Sequence, residues 1–187
     1  MTGSLSMQGD LLIAMPSLEC PFFSGSLVYL LEHGEEGAMG LIINRPLEVS
    51  HREILEQINP SPTGSHDEPI YCGGPVGTDR GFVLHRPDPE HEWKNQIQLT
   101  SCLAMTTSTD ILRYVSEGNH VDIYLIAVGY SGWGPGQLET EIAENSWLTV
   151  ATDPVEILLL PSAQRLHAAA GKLGIDYRLL PSSAGHG

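Results

Sequence analysis

Apolar positions in this chain fall into short runs divided by glycine, proline and charge, and the spacing within each run predicts its element. "DLLIAMP" reads as a buried strand stopped by Pro16, since proline has no N–H to give to a ladder. "SLVYLLEH" and "AMGLIINR" are strand-length and joined by "GEEG", which predicts a hairpin with a short glycine-bearing loop; Pro46 ends its second arm. Ser50 followed by Glu53 has capping-box spacing, and Ile54, Leu55 and Ile58 continue at helical intervals, so a helix is expected from Ser50 to Ile58. Beyond the loop "NPSPTGSHDEP", strands are expected at Ile70 to Cys72, Gly81 to His85, Gln96 to Leu99 and Leu103 to Thr106. Thr107 with Asp110 opens a helix through Val115. "VDIYLIAVGY" reads as a central strand, followed by a glycine-rich turn into the short helix "GQLETEIAE" and then the strand "SWLTV". Asp153 before Pro154 is a cap with proline at the first helical position. Leu166, Ala169, Ala170 and Leu173 share one face of a last helix, from Ser162 to Leu173, that stops at Gly174.

Strands outnumber helices and come in hairpin-like groups, which indicates an α+β domain rather than a doubly wound sheet. Residues 1 to 9 read as a flexible lead-in and 10 to 187 as a single domain without an internal linker. The chain has 187 residues, enough to bury a core without disulfides or a structural metal. Its 23 acidic residues face nine Lys and Arg, no two of them adjacent, for a formal net charge of -14. That balance argues against nonspecific nucleic-acid binding and against docking on anionic lipid, while favouring a monomer or a small specific oligomer. Cys20, Cys72 and Cys102 have neither disulfide-scaffold nor zinc spacing, the N-terminus lacks a basic leader, and no apolar run is long enough to span a bilayer. A cytoplasmic protein is expected.

Chemistry-bearing residue types concentrate in two places. "YCGGPVGTDRGFVLH" resembles a phosphate loop in its glycines, Gly73 and Gly74 among them, but a strand pattern follows it, there is no G-K-[ST], and Pro75 removes a donor. The reading is a strand-to-strand turn, with Arg80 paired to a carboxylate such as Asp79 and anion binding as the alternative. Cys72, just before this turn, is the best of the three thiols for redox chemistry, although a free cysteine is more often a small buried hydrophobe. "VGYSGWGPGQLE" places Ser131 in a turn like a nucleophile elbow, except that Trp133 stands where the motif needs its last glycine. A turn packed by Trp133 is the expectation; a hydrolase or transferase using Ser131 or Cys72 with a histidine base is the alternative. Glu139, Glu141 and Glu144 are explained by the dipole of their helix, and His91–Glu92 lacks the second zinc histidine because position 95 is Asn. No metal and no cofactor is expected.

Taken in order, "LLIAMP", "YLLEHGEEGAMGLIINRPL", "GGPVGTDRGFVLH", "MTTSTDIL", "VGYSGWGPGQLETEIAENSWLT" and the terminal "AGHG" closely resemble the AlgH/YqgE family of bacterial proteins. The resemblance implies a bifurcated β-sheet closed into a pseudo-barrel with peripheral helices. The family carries a transcriptional-regulator label from a genetic role in alginate control, and with neither a helix-turn-helix signature nor a basic face the expectation is indirect regulation, without direct DNA contact. No catalytic set carries over. The polar positions that match the motifs include Asn44, Arg45, Asp79, Arg80, Thr106, Thr107, Ser108, Gln137, Glu139 and Asn145. Arg45 and Arg80 are expected to converge with the turn holding Tyr130, Ser131, Trp133 and Gln137 on one face, there to bind an acidic small molecule or a protein partner.

Overall fold

The computed structural model describes residues 6–182. Ten strands and five helices follow one another as β1 (Leu11–Ala14), β2 (Leu27–Gly34), β3 (Gly37–Ile42), β4 (Pro46–Ser50), α1 (His51–Leu55), β5 (Pro69–Cys72), β6 (Val76–His85), β7 (Ile97–Gln98), β8 (Ala104–Thr106), α2 (Asp110–Ser116), β9 (Ile123–Trp133), α3 (Gln137–Ala143), β10 (Trp147–Val150), α4 (Pro154–Leu158) and α5 (Ser162–Lys172), with a short 3-10 turn over Tyr177–Leu179. No helix among the described residues is long and apolar enough to cross a membrane.

The fold is α+β, and its sheet divides on β9. One arm runs β10-β1-β2-β3 and joins the C-terminal part of β9 through Ala38↔Trp133 and Gly40↔Ser131. In the other arm β6, β8 and β7 lie in sequence, and β6 pairs with β9 from Ile123 to Tyr130. Because β6 occupies one edge of β9, β5 and β3 must share the other in succession: β5 runs parallel to β9 at Tyr71↔Ala127 and Cys72↔Val128, and β3 takes over antiparallel at Ser131. The two arms curl into a half-barrel closed by helices.

Alternation of side chains along each strand fills three cores. Leu11, Ile13, Leu27, Tyr29, Leu41 and Ile43 of the first arm meet Phe82, Leu84, Met105, Leu125 and Ala127 of the second inside the curl, where α4 and α5 add Ile157, Leu158, Leu166 and Ala169. Leu12, Ala14, Val28, Leu30 and Ile42 point outward under α3 and Trp147. Val83, Ile126 and Ile70 point outward from the second arm under α1 and α2. β1 is therefore buried on both faces, which is why "LLIA" does not alternate.

Arg165 of α5 is 4% exposed and meets no carboxylate among the described residues. Its guanidinium donates to the carbonyls of Leu158 and Leu160, both at 2.9 Å, and of Ile43, and it lies over the Tyr71 ring at 5.0 Å. The fork thus ties the end of α4 to the end of β3, and burial holds its pKa below the ordinary value.

Several expectations shift. Pro46 does not end a strand but begins β4, opposite Tyr71, at a sheet edge where its missing N–H costs nothing. The Ser50 capping box forms as expected, over a helix only five residues long. α2 starts at Asp110 with Thr109 as N-cap and no side-chain cap, because the Asp110 carboxylate accepts from the Lys94 and Ile111 amides instead. β9 continues through Ser131 to Trp133, so the glycine-rich turn expected after Tyr130 is confined to Gly134, Pro135 and Gly136, just before α3. Of the nine-residue lead-in, the described part holds to β2: Ser6 donates to the His33 carbonyl and the Gly9 amide to that of Leu30. The terminal "AGHG" lies outside the described residues.

Gly73, Gly74 and Gly129 make the crossing at β9 possible. A Cβ on Gly73 would overlap the Gly129 carbonyl, one on Gly74 the Tyr130 peptide, and one on Gly129, whose φ is +73°, the Gly74 carbonyl. At Gly81 an added Cβ meets nothing within 4 Å. Gly74→Ala is therefore expected to lower stability by about 3 kcal/mol while Gly81→Ala stays within about 0.5 kcal/mol, read from urea unfolding midpoints.

Candidate functional site

Gly73, Gly74 and Ser131, singled out from sequence, gather around the β9 crossing with Cys72 beside them, and the other singled-out residues are distributed over separate networks. The Gly73 amide donates to the Val128 carbonyl (2.9 Å), and the Gly73 carbonyl accepts from the Ile42 amide (2.8 Å) and the Ser131 hydroxyl (3.1 Å). Ser131 is fully buried within β9, not raised on an elbow, and Cys72 directs its thiol at the Gly74 carbonyl 3.9 Å away. Among the described residues neither has a histidine as a hydrogen-bond partner; their contacts are to backbone carbonyls. The exposed thiol is Cys102; Cys20 and Cys72 are half-buried.

Arg80 is not paired with Asp79. Its guanidinium lies 5.8 Å from the centroids of both Phe82 and Tyr130, and Asp79 stands exposed beside it. A ring pair offers an arginine attraction without neutralising it. Asn44 accepts from the Leu27 amide and donates to the Gly25 carbonyl, and Arg45 donates to the Ser26 hydroxyl at 2.9 Å while covering the Phe22 ring at 4.9 Å. These two residues fasten the loop before β2. Arg45 thus faces the outer cluster beneath α3, whereas Arg80 sits at the rim of the inner core.

Trp133 and Gln137 belong to a third network. Both indole N–H groups of Trp133 and Trp147 donate to one oxygen of Glu141, at 2.9 and 2.8 Å, and Gln137 donates to the other at 2.9 Å. Glu141 therefore does more than complement a helix dipole: it joins α3 to β9 and β10 at the two ends of the first arm. Glu139 receives His33 at 3.0 Å. Thr107 is exposed and Ser108 half-buried, where its amide donates to Thr106.

A concave site lies elsewhere, on the rim of the second arm. A cleft of about 420 Å³ is lined by His51, Ser65, His66, Glu68, Arg86, Asn119, His120, Asp122 and Tyr124, over an apolar floor of Val115, Val121, Ile123 and Leu159. A smaller depression of about 220 Å³, walled by Pro87 and Pro89, shares Arg86, His120, Val121 and Asp122 with it. Backbone bonds fix the rim: the His51 amide donates to the Glu68 carbonyl (2.8 Å), the Arg52 amide to that of His66 (2.9 Å) and the Arg86 amide to that of Asp122 (2.8 Å). Arg86 Nε donates to Tyr124 Oη (3.2 Å) and forms an ion pair with Asp122 Oδ2 (3.1 Å), and Asp122 Oδ1 receives His120 Nε2 at 2.8 Å. His51 Nδ1 is 3.9 Å from Glu68 Oε2. Burial pushes the His51 imidazole below its ordinary pKa, Glu68 draws it back up and His66 pushes it down. Among the described residues, no group of three or more His, Cys, Asp and Glu is arranged to hold a metal ion.

Nothing in the sequence pattern marks this cleft. Its lining comes from α1, the loop after it, the end of β6, the approach to β9 and the end of α4, so no two walls share a motif. The available signal is the grouping of histidines in "SHDEP" and "GNHVD" on two loops.

A family model described as AlgH-like matches residues 11–178. The chain belongs to the AlgH-like family. A UPF0301 protein of Chromobacterium violaceum is 48% identical over 186 residues, spanning 98% of both chains, and one of Vibrio parahaemolyticus is 44% identical over 188 residues, spanning 97% of this chain and all of the other. The solution structure of AlgH from Pseudomonas aeruginosa is 41% identical, covers 100% of this chain and 99% of its own, and superposes with a TM-score of 0.76. The bifurcated, curled sheet is thus an AlgH-like fold. A Corynebacterium diphtheriae crystal structure, 19% identical with a TM-score of 0.71 and covering 99% of this chain and 95% of its own, shares the fold alone.

Two imidazoles make this AlgH-like chain sensitive to acid. His85 is fully buried, and burial pushes its pKa down, as it does that of His51, while a hydrogen bond to the Arg86 carbonyl pulls the other way. Histidines of the unfolded chain titrate near 6.5 and so take up protons that these two refuse when folded. Stability is then full above that pH and falls as the pH drops below it, by at most about 1.4 kcal/mol per histidine for each pH unit. Urea midpoints at pH 7.5, 6.5 and 5.5 are expected to decline, with a shallower decline in His85→Gln.

Proposed function

We propose that the protein is a noncatalytic binding protein that takes an acidic small molecule in the cleft between α1, the end of β6 and the approach to β9. The observation that carries this reading is the convergence there of Arg86, Tyr124 and three imidazoles on an apolar floor. Concave sites where several polar groups converge beside an apolar surface are where small ligands dock. Arg86 engages its neighbours through Nε, at the Asp122 and Tyr124 contacts, which leaves its terminal nitrogens to a ligand carboxylate or phosphate. Leu159, 68% exposed beside them, offers contact to an apolar portion of the same molecule. A regulatory role then follows from occupancy, without contact between this acidic chain and DNA.

With neutral imidazoles the cleft sets one guanidinium against the carboxylates of Glu68 and Asp122. An anion there is held by the Arg86 guanidinium together with Tyr124 Oη and the imidazole N–H groups rather than by a net positive charge. A second reading gives Arg80 a protein partner: it is exposed, held over Tyr130, and has no hydrogen-bond or ion-pair partner among the described residues, and Arg and Tyr are residue types that anchor interfaces.

The test is a thermal-shift series with phosphorylated and carboxylated metabolites at pH 6.0 and 7.5. A ligand raises Tm through mass action, and the shift is lost in Arg86→Gln but kept in Arg80→Gln. A shift kept in Arg86→Gln sinks the cleft, whether or not Arg80→Gln abolishes it, and an absence of any shift moves the weight to the protein partner of the second reading.

A further inference from the structure

The resting cleft already holds an anion of its own. Asp122 places one carboxylate oxygen on Arg86 Nε at 3.1 Å and the other on His120 Nε2 at 2.8 Å, so a single carboxylate bridges a guanidinium and an imidazole as an incoming carboxylate or phosphate would. It stands where the cleft and the smaller depression meet, since Asp122, Arg86 and His120 line both. Building on the reading of the cleft as an anion site, we propose that Asp122 is an internal stand-in for the ligand's acidic group, and that binding proceeds by displacing its side chain.

Three features make the exchange possible. The backbone of Asp122 is fixed independently of its side chain, because its carbonyl receives the Arg86 amide at 2.8 Å, so a rotation about the side-chain bonds suffices. Tyr124 Oη remains on Arg86 Nε at 3.2 Å after Asp122 turns away, so the guanidinium keeps its aim. The pairs being broken are open to solvent, with Arg86 59%, His120 88% and Asp122 46% exposed, and exposed ion pairs contribute little. A ligand that fills the groove can outbid them, whereas an isolated anion that makes only the same contacts gains little. Asp122 thereby sets a threshold that screens the cleft against simple anions and admits ligands with more to contribute.

Removing the carboxylate should lift that threshold. Inorganic phosphate is titrated into the full chain at pH 6.5 and constant ionic strength, following backbone amide NMR signals in the wild type, Asp122→Asn, Asp122→Ser and Asp122→Asn/Arg86→Gln. The expected result is a Kd tightened on the order of fivefold in both single variants, the scale of one like charge removed at contact distance in water. The shifts should fall at Arg86, His120 and Ile123 and vanish in the double variant. Phosphate bound in the cleft with equal or weaker affinity in the single variants overturns the stand-in and leaves the anion site intact. No perturbation of cleft signals in any protein overturns both.

Discussion

The carbonyl of Gly73 is where the two halves of this molecule are joined. It accepts from Ile42 at the end of β3 and from Ser131 within β9, while the amide of the same residue donates to Val128 one step earlier on β9. One residue thus hands the edge of β9 from a parallel neighbour to an antiparallel one. Without that exchange the edge would leave buried peptide groups unpaired, which is costly wherever water cannot reach them. The exchange brings three backbones within the space a methyl group would need, so glycine at 73, 74 and 129 is dictated by geometry and Ser131 by the spare lone pair of a carbonyl. The curl of the sheet, the enclosure of the inner core and the placing of α4 and α5 over it follow from that junction. Arg165 then locks the helices to it by taking the Ile43 carbonyl from the neighbouring strand end.

Local pattern reported much of this architecture. The β2–β3 hairpin was legible in two apolar runs about a two-residue turn, α1 in its reciprocal Ser50–Glu53 bonds, and α4 in Asp153 followed by Pro154. Errors arose where a residue type has two uses. Proline was read as a stop, yet at position 46 it starts an edge strand. Glycine was read as a turn former, yet in "VGYSGWG" it lets β9 bend with a left-handed Gly129 and continue. Conformational freedom and the absence of a Cβ are the same property of glycine, and only the neighbouring strand tells which one is in use.

The candidate site was hidden for a different reason. Its walls are drawn from stretches as far apart as His51, Arg86, Asp122 and Leu159, and each contributes one or two side chains without a motif. The dense motifs announce the junction instead, because a backbone crossing constrains several consecutive residues whereas a cleft constrains single ones. Arg165 escaped for the same reason: one arginine on an otherwise ordinary helix carries three carbonyls, and nothing within its helix signals that.

Rigidity and binding are thereby separated in space. Where the sheet divides, the amide and carbonyl of Gly73 and the hydroxyl of Ser131 are engaged within the protein and Ser131 is buried, so these groups are not free for a ligand. On the rim of the second arm, backbone bonds hold Glu68, Arg86 and Asp122 in place while their side chains reach solvent. A chain with a formal charge of -14 repels anions at long range, so an anion site has to rely on short-range donors set on a fixed frame. That frame is what the second arm supplies. An acidic residue inside such a site is then a means of selection: the surrounding field already disfavours anions, and Asp122 raises the requirement from charge alone to charge together with shape.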